Sequence, residues 1–372
     1  MKHGIVYAGN GLFDNYFWPS ITRLKNGRLA VTSSGDRLAH ICPFGKVVMA
    51  TSCDEGETWS APKIIINGPL DDRDAGITPL GDGFVVTSFT LSKQFLIDRI
   101  DNRSHMESEE KKELARKRVA EITDEEEKEY IGSAFFVFNK DGELVRRTRM
   151  PLTAPHGFSV LNDGKLFLAG RRYIPHNYGI SDGRTDLPME GIGYMTTPDC
   201  YHFSPISWIT LPKEELARGG LFCEPHAIQL KSGRILLHIR LQYPENNKAF
   251  EIYQSVSDDG GKTFSVPAPL NTPDGRQCGS PPHLLGTEEG DVVLTYGRRI
   301  EPYGECARVS RDGGETWSRE IVLRDDAPSW DLGYPASVQL KSGEILTVYY
   351  QIPKDTTNRA ILYTKWDYKQ YL

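Results

Sequence analysis

Asp331-Leu332-Gly333-Tyr334-Pro335-Ala336-Ser337-Val338-Gln339-Leu340-Lys341-Ser342-Gly343-Glu344-Ile345-Leu346-Thr347-Val348-Tyr349-Tyr350-Gln351 holds two runs rich in β-branched and aromatic residues, joined at Lys341-Ser342-Gly343. That is the pattern of a β-hairpin whose first strand begins at Tyr334. Its spacing, a leucine followed three residues later by a glycine, recurs at Leu24/Gly27, Leu80/Gly83, Leu161/Gly164 and Leu230/Gly233 as well as Leu340/Gly343. A looser copy runs from Pro281-Pro282-His283-Leu284-Leu285 to Gly290-Asp291-Val292-Val293-Leu294. In each copy the glycine is expected to supply the positive φ of a tight turn before a second strand. Six copies predict an all-β, six-bladed β-propeller, with residues 1–372 forming one domain.

The ends of the chain fit that ring. Ile5-Val6-Tyr7 reads as a lone strand and Ala360 to Trp366 as a last one, so the two ends are expected to share a blade and remove its open edges. The segment from about 101 to 130, rich in Glu, Lys and Arg, reads as one helical insertion between strands of the second blade, its charges marking a solvated face.

Bulk properties exclude several function classes. The formal net charge is −6, from 44 Lys and Arg against 50 Asp and Glu, which predicts neither a nucleic-acid nor a membrane partner. The N-terminus is too polar, and too soon broken by glycine, for a signal-peptide core, so a cytoplasmic location is expected. Cys42, Cys53, Cys200, Cys223, Cys278 and Cys306 show no CxxC spacing, and no cofactor motif is present.

Three copies continue into Ser-x-Asp-x-Gly-x-Thr followed by Trp or Phe: Ser52 to Trp59, Ser257 to Phe264 and Ser310 to Trp317. The aspartate can accept backbone amides across a turn while the aromatic packs on a neighbouring strand. The motif resembles the Asp-box of the sialidase superfamily, where it is a structural turn remote from the active site.

On a propeller the starts of the inner strands and the ends of the second strands gather on one face. Six residues before each anchor stand Trp18, Asp74, Pro155, Glu224, Gly279 (counted from Leu285) and Tyr334, with Arg73, His156, His226 and His283 beside them. Arg37, Arg171, Arg172, Arg240, Arg298 and Arg299 close the second strands. Arginines around two carboxylates and a tyrosine suit an anionic sugar held by bidentate pairs.

Glu224 followed by Leu230, Gly233 and Arg240, and Tyr334 followed by Leu340 and Gly343, are similar to the sialidase segments that carry a glutamate, an arginine and a tyrosine nucleophile. The resemblance implies Tyr334 as nucleophile, Glu224 as its base, and Arg240, Arg37 and Arg73 as ligands of a substrate carboxylate. The chain departs from the family where Tyr16-Phe17-Trp18-Pro19-Ser20 replaces the usual Arg-Ile-Pro, and where Leu38 to Pro43 lacks the acid/base aspartate. Asp74, His40 and Asp36 are the candidates for that role, in that order. Arg298, Arg299 and Arg308 compete for the third arginine, with Arg299 preferred. Trp18 is either core or a platform for a sugar face. His156 and His226 either contact substrate or are structural, and no metal is expected because these histidines lie on different blades.

The resemblance implies an exo-glycoside hydrolase that releases a terminal acidic sugar, by default sialic acid, with another acidic or deoxy sugar as the rival and an acidic saccharide as the only expected partner. A polysaccharide lyase acting on uronates and a non-catalytic glycan-binding propeller are the other classes open to the same residues.

Overall fold

The run Leu29-Ala30-Val31-Thr32-Ser33-Ser34, apolar and then small and polar, is buried at every position, as suits a strand packed on both faces between neighbouring sheets. The computed structural model describes residues 1–102, 106–172, 191–243, 246–275 and 279–372. Its strands form six sheets that make a six-bladed β-propeller. Blade one holds Asn15–Arg23, Leu29–Arg37, Lys46–Ser52 and Lys63–Ile66, and blade two Arg73–Leu80, Gly83–Thr90, Gly132–Phe138 and Leu144–Met150. In blade three a broken inner strand, Leu152–Thr153 and Ser159–Val160, pairs with Leu166–Arg172, followed by Ile192–Thr197 and Ser207–Trp208. Blade four is Leu221–Gln229, Ile235–Tyr243, Asn246–Ser257 and Ala268–Pro269; blade five is His283–Gly286, Val292–Arg298, Gly304–Ser310 and Ile321–Arg324. Blade six joins Gly333–Gln339, Ile345–Gln351 and Ala360–Trp366 to the N-terminal strand Lys2–Tyr7, so both ends of the chain close one sheet.

The hairpin turns follow the leucine–glycine spacing for a physical reason. The Leu340 amide donates to the Glu344 carbonyl at 2.8 Å and the Gly343 amide to the Leu340 carbonyl at 2.9 Å, with Gly343 at φ +89°. The same pair of bonds closes the turns at Leu24, Leu161 and Leu230. Two blades differ from the sequence expectation. In blade two the positive φ belongs to Gly81 (+57°), while Gly83 is glycine because a Cβ would lie 2.0 Å from the Phe138 carbonyl oxygen. In blade five Thr287, and not Leu285, anchors the turn, its amide donating to the Asp291 carbonyl at 2.9 Å, which moves that blade's register by two residues.

The Ser-x-Asp-x-Gly-x-Thr turns share one hydrogen-bond set. In the first, Asp54 accepts from the Thr58 amide (2.9 Å) and hydroxyl (2.6 Å), and Ser52 Oγ accepts from the Gly56 amide at 2.8 Å. Asp259 with Thr263 and Asp312 with Thr316 repeat it. Each turn sends its aromatic onto the preceding blade: Trp59 packs with Leu346 and Val348, Phe264 against Tyr194, and Trp317 with Leu236 and Ile252. Blade three carries a shortened turn at the same place. There Thr197 accepts from the Cys200 amide and Asp199 from the amides of Tyr201 and His202, without the glycine and threonine that mark the motif in sequence.

The charged insertion forms three helices, Lys93–Asn102, Glu109–Glu121 and Asp124–Tyr130, between the second and third strands of blade two. Ser108 and Thr123 cap the last two. The insertion is not a purely solvated face. Leu96, Ile100, Ala115 and Val119 are buried against Leu38, Ala39 and Cys42, so the helices support the loop between the second and third strands of blade one.

Candidate active site

Four blades enter the central cleft through one backbone device. Trp18, Asp74, Glu224 and Tyr334 have φ of +51°, +56°, +50° and +50°, and strand pairing jumps register across each of them. This left-handed conformation is unfavourable for residues with a Cβ, by about 1–3 kcal/mol each, and it breaks the in-out alternation of the strand. Blade three has Pro155 in this position, and the positive φ appears at Gly157 (+81°) instead.

The resulting cluster centres on Glu224. Tyr334 Oη donates to Glu224 Oε1 at 2.6 Å, and Arg240 Nη1 donates to Glu224 Oε2 at 2.5 Å. Burial alone would raise the Glu224 pKa, but Arg240, the Tyr334 hydroxyl and Arg299 outweigh it and hold the carboxylate below its ordinary value. The Tyr334 phenol moves the other way: burial and then the Glu224 charge push it well above its usual range. Asp74 is buried, and burial reinforced by the Glu224 charge raises it to about 7 against the opposing pull of Arg73 and Arg37. A neutral-capable acid thus stands within electrostatic reach of an ionised base and a protonated phenol.

The arginines divide by what is left of their donors. Arg37 corrects the sequence expectation: it is 0 % exposed, and all five of its N–H groups are taken. They bind Asp71 at 2.6 and 3.0 Å, Ser34 Oγ at 2.7 Å, and the carbonyls of Ala39 and His40 at 3.3 and 2.9 Å. It holds the site together and cannot also grip a substrate. Arg73 uses Nη1 on the His40 carbonyl and Asp71, while Arg299 uses Nε on the Ser280 carbonyl and Nη1 on the Trp330 carbonyl. Among the described residues Nη2 of both is uncommitted. Arg240 spends its second nitrogen on Gln242. Arg298 and Arg308 are bound to Glu320 and Asp274 in the outer part of blade five.

Trp18 is 1 % exposed, with the Arg73 and Arg37 guanidinium carbons 4.1 and 4.8 Å from its ring centroid. Its position rules out a sugar platform: the ring is core that holds two cations. His40 lies beside it, ring centroids 5.1 Å apart, with Nδ1 3.1 Å from Asp331 Oδ1. Asp331 also accepts from Tyr350 Oη at 2.8 Å and Arg359 Nε at 2.9 Å; against the desolvation of burial, His40 and Arg359 keep it ionised. Asp36 is turned to Lys46.

His156, His226 and His283 leave the mouth and meet one another, with centroids 5.4, 5.1 and 4.3 Å apart. They line an axial cavity of about 320 Å³ that extends toward the hairpin turns. His226 Nδ1 accepts from the Leu284 amide at 2.9 Å, and His226 and His283 are stacked at 16°. Stacked rings hold their lone pairs in separate, near-parallel planes, which does not suit joint ligation, and among the described residues no group of three or more His, Cys, Asp or Glu is placed to hold a metal. A larger cavity, about 750 Å³, lies between blades four and five near Lys231 and Asp312, at the far end of the inner strands from Glu224.

Sequence reasoning did not find Asp71, Asp331, Arg359 or Gln242. Asp71 begins the run Asp71-Asp72-Arg73-Asp74, whose charge was legible, and Asp331 begins the stretch that set the fold; neither sits in the repeat register. Among the described residues the cysteines are free, and no helix is long and apolar enough to cross a membrane.

The blades, their turns and the bulged inner strands define a sialidase-like propeller of the BNR superfamily. The BNR repeat-like domain model matches residues 160–347, and the chain belongs to that family. No curated protein sequence matches the chain. Among solved structures, a protein of unknown function from Dyadobacter fermentans is 18% identical over 99% of this chain and 98% of its own, with a TM-score of 0.73. The α-L-arabinanase of Penicillium chrysogenum, solved with arabinobiose, is 13% identical over 100% and 99%, with a TM-score of 0.64. Trypanosoma rangeli sialidase is 14% identical over 94% of this chain and 54% of its own, with a TM-score of 0.54. At these identities the likeness is one of fold.

Proposed function

We propose that the chain is a retaining exo-glycoside hydrolase, working as one propeller unit, with Tyr334 as nucleophile, Glu224 as its base and Asp74 as acid/base. The observation that carries the reading is the Tyr334–Glu224–Arg240 hydrogen-bond chain at the axis. In the first step Asp74 protonates the leaving oxygen while Tyr334 Oη bonds to the anomeric carbon and passes its proton to Glu224 Oε1. In the second, Asp74 as carboxylate takes a proton from water, the water oxygen bonds to the anomeric carbon, and Tyr334 departs and recovers its proton from Glu224. A phenol avoids the repulsion that a carboxylate nucleophile would meet from an anionic sugar.

An acidic sugar, with sialic acid as the first candidate, would find Arg73 and Arg299 as its cationic partners. The complete commitment of Arg37 supports a second reading, a neutral terminal sugar such as an α-L-arabinofuranoside, the class that the Penicillium relative's name points to. Incubation with aryl α-sialosides, uronides and α-L-arabinofuranosides, with products followed by mass, tests the reading. Turnover with a covalent adduct on Tyr334 supports it. An unsaturated uronate absorbing in the ultraviolet would instead identify a lyase, and binding without turnover a glycan-binding propeller.

A further inference from the structure

Of the described tryptophans only Trp330 is largely exposed, at 45 %. Leaving an indole in water forgoes about 2 kcal/mol or more of burial, so a rigidly held exposed one invites a ligand. The Trp330 backbone is held: its carbonyl accepts from Arg299 Nη1 at 2.9 Å and from the Leu332 amide at 3.1 Å, and its neighbour Asp331 is fixed by His40, Tyr350 and Arg359. Its ring centroid lies 6.0 Å from the Arg299 guanidinium carbon; Arg299 lies over the Phe250 ring at 5.4 Å, and Arg240, the arginine bonded to Glu224, lies over the same ring at 4.9 Å. The exposed ring is thus connected to the buried reacting pair through Arg299, the Phe250 ring and Arg240.

We propose that Trp330 is the platform for the leaving-group sugar, stacking on the C–H face of the saccharide ring attached to the terminal residue that Tyr334 attacks. This rests on the hydrolase reading above and adds a binding subsite to it. Arg299 links the two subsites, since one guanidinium carries the Trp330 backbone and shares the Phe250 ring with Arg240, the partner of Glu224.

The test compares wild type, Trp330→Ala and Trp330→Phe on 3′-sialyllactose against α-sialosyl fluoride, and on arabinobiose against α-L-arabinofuranosyl fluoride. Fluoride is too small to reach the indole. The expected result for Trp330→Ala is about a tenfold fall in kcat/KM on the disaccharide, mainly through KM, no change on the fluoride, and recovery in Trp330→Phe. An equal fall on both substrates, or none on the disaccharide, overturns the proposal. Calorimetric titration of the same two disaccharides into Tyr334→Phe, with and without Trp330→Ala, separates this from a failure of the hydrolase reading. If wild type cleaves neither pair, that reading fails for these sugars, while about tenfold weaker binding without the indole still supports the platform; equal binding, or no binding of either disaccharide, rejects it.

Discussion

Tyr334 and Glu224, 110 residues apart in the chain, are joined by a 2.6 Å hydrogen bond from the phenol to the carboxylate. Both reach the axis through the same left-handed bulge, so their meeting is a product of the repeat. Removing the phenolic oxygen in Tyr334→Phe takes away the nucleophile and leaves the ring packing with Trp18 and Tyr350 in place. Turnover is expected to fall by about a thousandfold or more, with the circular dichroism and denaturation midpoint near those of wild type, since a nucleophile and its base act as a unit. Glu224→Gln should fall similarly. Turnover by Tyr334→Phe at the wild-type rate would remove tyrosine from the mechanism.

Asp74, with its pKa raised to about 7, sets the pH dependence. Protonated Asp74 is needed to give its proton to the leaving group, so kcat/KM should decline as pH rises through about 7. The acidic limb should fall with protonation of Glu224, below the ordinary carboxylate range. In Asp74→Asn the alkaline limb disappears, and activity falls about 10²–10⁴-fold on poor leaving groups and much less on activated aryl glycosides. An unchanged alkaline limb in that variant would assign the acid/base elsewhere, with His40 next to examine.

Asp74, Glu224 and Tyr334 were legible because an inner strand of nearly constant length separates the bulge from its leucine anchor. Counting back six from Leu80, Leu230 and Leu340 reaches Asp74, Glu224 and Tyr334, all at positive φ. The count fails in blade five, where Thr287 has taken the anchor's place. It says nothing of Asp71 or Asp331, which lie in connections with no period to count. Arg37 was misjudged for the same reason: its end-of-strand position is repetitive, but the partner that consumes it stands 34 residues away in an irregular segment.

The Arg37–Asp71 pair has no exposed side-chain surface on either partner, so its loss should register as stability and not as substrate affinity. Arg37→Ala leaves Asp71 buried beside Arg73 alone, and the denaturation midpoint should drop by the equivalent of about 3–5 kcal/mol. Replacing both partners, as in Arg37→Met with Asp71→Leu, should recover part of that loss. A raised KM with an unchanged midpoint in Arg37→Ala would restore this arginine to the substrate.

Glu305 supplies a test of stability against pH that is independent of the reaction. It is 0 % exposed with neither carboxylate oxygen hydrogen-bonded among the described residues, and burial raises its pKa well above the ordinary value against the weaker pull of Arg299 and Arg324. The folded state therefore keeps a proton that the unfolded chain releases above about pH 4.3. Stability from this group is fully present below that pH and is lost as pH rises toward the folded pKa, by at most about 1.4 kcal/mol per pH unit. Glu305→Gln keeps the shape and removes the ionisation. Its denaturation midpoint should match wild type near pH 4 and exceed it progressively between pH 5 and pH 8. Parallel curves for the two proteins across that window would mean that Glu305 is ionised and paired when folded.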